Sequence, residues 1–333
     1  MKKTIVYICL FLFIILRDPV SALTIKLGSL APAGSPWDNA LKELAGEWRS
    51  LSRNRIHLKI YPGGIAGSEP DMIRKLRINQ LQAAGLTGVG LFQIVPNLLT
   101  IQLPLLVRND EELDYVLEKM QPYFEREMAE KGFKLIIWTM AGWAHFFAKT
   151  PVSTPGDLMK QRLHVPAGNE QEILALKKMG FQVVALPIPD VLIALQSGMV
   201  DAFVGTVLTA AVFQWFGLVR NMCALRWMPL IGGIVISSRA WRQVQEDLKP
   251  ALMEAASRVE KALRAETARL EQEALAVMKR HGLIINPVSP AAEQEWIRVV
   301  KQGSNLVIGK SFNSDIYEEV KGHLDDFRRR VSQ

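Results

Sequence analysis

Apolar and polar positions alternate along Leu23-Thr-Ile-Lys-Leu-Gly-Ser29 and again along Ile56-His-Leu-Lys-Ile-Tyr61, the period-two pattern of strands. Between them Ser35-Pro36 offers an N-cap and a first-turn proline for a helix through Arg49. The opening is therefore a β-α-β unit that ends in the turn Pro62-Gly63-Gly64. Leu81 to Leu86 reads as a buried strand, Asp110 to Lys131 as a long amphipathic helix and Phe133 to Met140 as a strand between Gly132 and Gly142. A shorter rhythm follows: helix near 155–160, strand 163–165, helix 170–179, strand 182–185, helix 190–196, strand 200–204. Such alternation predicts an α/β fold with mainly parallel sheets.

From about Glu246 to His281 apolar residues recur at Leu248, Leu252, Ala256, Val259, Leu263, Leu270, Val277 and Met278, with no internal glycine and with Pro250 in the tolerated first turn. A helix of that length measures roughly 50 Å, more than one lobe, so it is expected to cross two. Mixed apolar spacing argues against a coiled-coil seam.

The N-terminus changes the picture of where the chain acts. Basic Met1-Lys2-Lys3, an apolar run from Ile5 to Leu16 and the small residues of Val20-Ser21-Ala22 have the three-part form of a secretory signal, with cleavage after Ala22. The competing reading is a retained anchor. A span needs about 20 apolar residues, and Arg17-Asp18-Pro19 stops this run early. Removing residues 1–22 takes away three basic residues and one acidic, lowering the formal charge from +7 by 2 to +5. It leaves Cys223 alone, so no disulfide within the chain is possible. The expected division of the 333 residues is a signal over 1–22, one lobe over 23–141 plus 231–268, and a second over 142–230 plus 269–325.

Candidate chemistry is sparse. The basic residues of 258–280 are interleaved with Glu260, Glu266, Glu271 and Glu273, as on a solvated helix face, and this excludes a nucleic-acid partner. The five histidines are scattered without i, i+4 spacing, and there is no Cys-x-x-Cys, nucleophile elbow or phosphate loop. No metal, no cofactor and no enzymatic activity are expected.

Several segments in a fixed order carry a resemblance: Ala31-Pro-Ala-Gly-Ser-Pro-Trp37, Tyr61-Pro-Gly-Gly-Ile-Ala-Gly-Ser68, Thr87-Gly88 with Val95-Pro96, Leu103-Pro104-Leu105, Thr154-Pro-Gly-Asp-Leu158, His164-Val-Pro166, Ala194-Leu-Gln-Ser-Gly-Met-Val-Asp-Ala202 and Ser237-Ser-Arg-Ala-Trp241. From Leu23 to about Arg298 the chain resembles the periplasmic solute-binding subunits of tripartite ATP-independent periplasmic (TRAP) transporters, the DctP-like family. The resemblance implies a periplasmic-binding-protein fold: two α/β lobes around a cleft, a long helix shared by both, and closure over one small molecule that is handed to a membrane permease. In the subclass that carries a tetratricopeptide-repeat accessory protein, that protein is a further partner.

The resemblance also shows departures. Members hold an organic acid with an arginine in the segment Ile-Arg-Val-Pro, a fork suited to a carboxylate, and His164 stands at that place. Ala144 occupies the position of a second arginine, and Phe203-Val204-Gly205-Thr206 replaces a segment whose asparagine contacts ligand. The expected site is Trp37, Glu69, Thr87, Trp143, His145, His164, Phe203, Gly205, Thr206, Trp215 and Trp227, suited to an apolar or uncharged ligand. Two alternatives stay open for particular residues. His164 can be a core histidine bonded to a carbonyl, and Phe203, Trp143 and Trp227 can be core. For the whole chain, the alternative is a scaffold that keeps the fold and has lost its ligand.

Overall fold

A computed structural model describes residues 22–168 and 170–332, for residues 171 and 172 the backbone alone. The signal-peptide reading falls on residues 1–21 and lies outside the described residues.

The first part of the chain forms β1 (Leu23–Ser29), α1 (Pro36–Leu51), β2 (Ile56–Tyr61), α2 (Glu69–Arg77), β3 (Ala83–Thr87), α3 (Gly88–Ile94), a 3-10 turn (Pro96–Gln102), α4 (Asp110–Glu130) and β4 (Phe133–Trp143). The middle forms β5 (His145–Ala148), α5 (Pro155–Met159), β6 (Arg162–Pro166), α6 (Glu170–Lys178), β7 (Gln182–Leu186), α7 (Val191–Gln196), β8 (Ala202–Gly205), α8 (Val207–Val212), β9 (Asn221–Cys223) and β10 (Pro229–Ser237). Then come α9 (Ser238–Trp241), α10 (Lys249–Arg280), β11 (Ile284–Asn286), α11 (Pro290–Val307) and α12 (Ser314–Val331).

Local chemistry sets the helix starts. Ser35 accepts from the Asp38 amide with Pro36 in the first turn, and Ser68 with Asp71 and Thr154 with Asp157 form reciprocal capping boxes. In the turn after β2, Gly63, Gly64 and Gly67 all take positive φ, which a side chain would resist.

The strands make two sheets, ordered β2-β1-β3-β10-β4 and β11-β9-β5-β8-β6-β7. They are mixed rather than mainly parallel. β10 runs antiparallel to both β3 and β4, and β5 antiparallel to both β8 and β9. Of these, β4, β5 and β10 flank the points where the chain passes from one sheet to the other.

Helices cover both faces of each sheet. Leu41, Leu44 and Trp48 of α1 pack with Leu252, Val259 and Leu263 of α10 on one side of the first sheet, while α3, α4 and α12 cover the other. Farther along the same α10, Ala274, Leu275 and Met278 pack with Phe147 and Phe203 of the second sheet. The 32-residue helix thus serves both lobes, as its length requires.

The chain also crosses between lobes at Ala144. Its amide donates to the Met228 carbonyl at 2.8 Å and its carbonyl accepts from Trp227 N–H at 2.8 Å, which ties the two crossing segments together. Among the described residues no helix is long and apolar enough to cross a membrane.

Candidate ligand-binding cavity

A cavity of about 290 Å³ lies where the two sheets meet, walled by residues of both lobes. From the first lobe come the ends of β1 and β3, the start of β10, and Trp37 of α1; from the second come β6, the end of β8, Phe213 and Trp215. Among the described residues that line it there is no aspartate, glutamate, lysine or arginine.

His164 is one of its few polar members and is 2% exposed. Its Nε2 lies 3.1 Å from the Leu186 carbonyl. A carbonyl can only accept, so Nε2 carries the hydrogen and Nδ1 is left with a bare lone pair. That Nδ1 is buried and has no partner among the described residues. Burial disfavours the imidazolium and pushes the pKa down to about 4, against a smaller opposing effect of the Leu186 carbonyl. The ring is therefore neutral at neutral pH.

Gln102 repeats this logic from the first lobe. Its Nε2 donates to the Pro229 carbonyl at 2.6 Å, which fixes the amide orientation and leaves Oε1 buried and unpartnered among the described residues. Each lobe thus contributes one buried side chain whose free polar atom can only accept.

Of the residues expected from the sequence, six line the cavity: Trp37, Thr87, His164, Gly205, Trp215 and Trp227. Five do not, and each has a local reason. Glu69 sits behind Thr87, whose hydroxyl donates to its Oε2 at 2.8 Å; burial raises the carboxyl pKa, offset in part by these bonds. Trp143 turns its indole N–H to Asp110 Oδ1 at 3.1 Å and carries Arg226 over its ring. His145 bonds the Cys223 carbonyl at 3.0 Å, and burial lowers its pKa. Phe203 stacks on Phe147 with centroids 5.0 Å apart, on the side of β8 opposite Val204, and Val204 reaches the cavity in its place. Thr206 is a helix cap whose hydroxyl accepts from the Thr209 amide at 3.0 Å.

Sequence reasoning missed Gln102, Thr139 and the contributions of α6 and α11. Gln102 lies one residue before Leu103-Pro104, and nothing in its local pattern sets it apart from a surface glutamine. The positively charged group nearest in kind, Arg226, belongs instead to a cluster at the lobe crossing with Trp143, Asp110 and Glu271. There Gly142 takes a φ of 108°, and a Cβ on it would stand 2.9 Å from Glu271 Oε1.

Two α/β lobes sharing a long helix and enclosing a cavity between them define a periplasmic-type binding protein. Residues 27–306 match the model of the DctP family, "Bacterial extracellular solute-binding protein, family 7", and the chain belongs to that family. It is similar to the sialic acid-binding periplasmic protein SiaP of Vibrio cholerae, 22% identical over 270 residues covering 79% of this chain and 82% of that one. In fold it is similar to a TRAP periplasmic solute-binding protein of Sulfurospirillum deleyianum with bound succinate, with a TM-score of 0.82 and 19% identity over 90% of this chain and 99% of that one. A second, from Haemophilus influenzae with bound L-gulonate, superposes with a TM-score of 0.83 and 19% identity, covering 91% and 99%. The chain is thus a bacterial extracellular solute-binding protein. Its relatives bind substrates and are not enzymes.

Proposed function

We propose that this protein captures an uncharged, predominantly apolar small molecule and delivers it to its permease. The observation that carries the reading is a cavity lining without a formal charge among the described residues. A carboxylate moved into such a wall would give up its hydration with no cation to replace it, which costs several kcal/mol. The two buried side chains, one from each lobe, make this worse, because His164 Nδ1 and Gln102 Oε1 offer lone pairs where a carboxylate needs donors. An apolar surface instead gains about 25 cal/mol for each Å² removed from water. A hydroxyl or amide N–H on the ligand would satisfy either free acceptor.

The structural neighbours named above hold succinate and L-gulonate, both acids. In this chain His164 stands where the family resemblance expects the acid-binding arginine, and Ala144, fully buried at the lobe crossing, where it expects a second. The same reading carries export with cleavage after Ala22 and, in the tetratricopeptide-associated subclass, a periplasmic repeat protein as partner.

Titration calorimetry with a matched pair tests it: octan-1-ol and octanoate, with succinate and D-glucuronate alongside. Octan-1-ol is expected to bind at least tenfold more tightly than octanoate, and the two acids not at all. Tight succinate or glucuronate binding would overturn the reading.

A further inference from the structure

The cavity does not stop at the cleft. On β6, Leu163 and Val165 point to one face of the second sheet and His164 to the other, yet all three line the same space. Beyond Leu163 and Val165 the lining continues onto helices that cover that face: Ala175 of α6, then Val300 and Gly303 of α11. Val300 packs against the core of the second lobe formed by Phe146, Ile173 and Trp296, whereas Ala175 packs with Leu99, Leu103 and Val307 where the helices meet the first lobe. Protein cores are normally packed with few voids larger than a water molecule, so an opening that reaches these helices is a feature to be explained.

Two residues of this part of the lining, Met179 and Gly303, are in close contact. Met179 follows α6, and its thioether lies so close to Gly303 that a Cβ there would stand 2.2 Å from the sulfur. Glycine within a helix is disfavoured relative to alanine, and here its absence of a side chain is what lets the flexible methionine tuck against α11.

Resting on the apolar-ligand reading, we infer that the ligand is a chain-like molecule. Its aliphatic end enters this branch between β6 and helices α6 and α11, and Met179 seated on Gly303 sets how long a chain fits. A compact ligand held between the cleft walls would make no use of Val300 or Gly303. The branch walls are apolar apart from Ser304, which suits methylenes and not a second polar end.

The test is calorimetry with butan-1-ol, hexan-1-ol, octan-1-ol and decan-1-ol on the exported chain and two variants. For the unaltered protein the affinity is expected to rise about fourfold per methylene until the branch is filled. Gly303→Leu drives the Met179 side chain inward, so decan-1-ol is expected to lose at least tenfold while butan-1-ol stays within twofold. Met179→Ala removes the end wall, so the rise is expected to continue to a longer chain than in the unaltered protein. A length profile that Met179→Ala leaves unchanged overturns the inference, even where Gly303→Leu fails to fold. Equal losses at every length in Gly303→Leu overturn it too. If the alkanols bind but the profile is unaffected, only the branch is refuted; if none binds and succinate does, the apolar reading itself fails.

Discussion

Two ionisable side chains, the buried His164 in the cavity and the half-buried Glu271 at the lobe crossing, are both held toward their neutral forms by desolvation, but their surroundings differ. Around Glu271 the chain keeps charges: Arg226 opposes the shift, Asp110 adds to it, and the pKa is pushed up to about 7. Around His164 burial is opposed only by the Leu186 carbonyl among the described residues, and the pKa falls to about 4. The crossing is thus a polar joint with compensating charges, whereas the cavity holds polar groups without any charge. A binding protein can keep its mechanical joint polar while its ligand wall becomes neutral, because the two are built from different residues of neighbouring segments.

The largest expected effect comes from forcing a further charge into the closely packed crossing. Ala144→Arg places a guanidinium at a fully buried position between the crossing segments, and denaturant unfolding should show a loss of several kcal/mol. A loss below about 1 kcal/mol would mean that the crossing is far looser than its hydrogen bonds indicate.

The two titrations come next, and they have opposite signs. His164 has its folded pKa depressed below the ordinary 6.5, so the unfolded chain binds the extra proton. Its contribution to stability is complete above pH 6.5 and is lost as pH falls toward 4, by up to about 3 kcal/mol. Glu271 has its folded pKa raised above the ordinary 4.5, so the folded chain holds the extra proton and stability falls as pH rises from 4.5 to 7. Partial solvation and the nearby Arg226 reduce that to about 2 kcal/mol. Stability measured from pH 4 to 8 should therefore show a shallower acid-side decline in His164→Phe and a shallower decline toward neutrality in Glu271→Gln. Identical profiles in all three proteins would break the comparison.

The smallest effect concerns restoration of the acid anchor. His164→Arg alone is expected to improve succinate affinity by less than tenfold, since Ala144 and Gly205 also stand at departures from the family pattern. Tight binding by this single variant, read by calorimetry, would show that the one residue governs selectivity.

Much of the fold was legible because its outer units obey simple periods: β1, α1, β2 and α10 follow from alternation, capping residues and an uninterrupted amphipathic stripe. β10 and β5 were not, because Pro229–Ser237 and His145–Ala148 are buried almost throughout and have no alternation to read. The site was legible in part. His164, Trp215 and Trp227, expected from position in a family pattern and from aromatic character, line the cavity. Phe203 failed because period two says that Phe203 and Val204 face opposite ways but not which one faces the cavity. Trp143 failed because an indole N–H finds its own partner, here Asp110, wherever one is near. Gln102 and Gly303 were invisible because their roles depend on Pro229 and Met179, 127 and 124 residues away in sequence.

The most direct measurement is the mass of whatever the protein carries when it is purified from exporting cells without added ligand and then denatured. An uncharged, largely apolar compound lacking carboxylate and phosphate groups is expected. Release of a C4-dicarboxylate, a sugar acid or sialic acid would contradict the account.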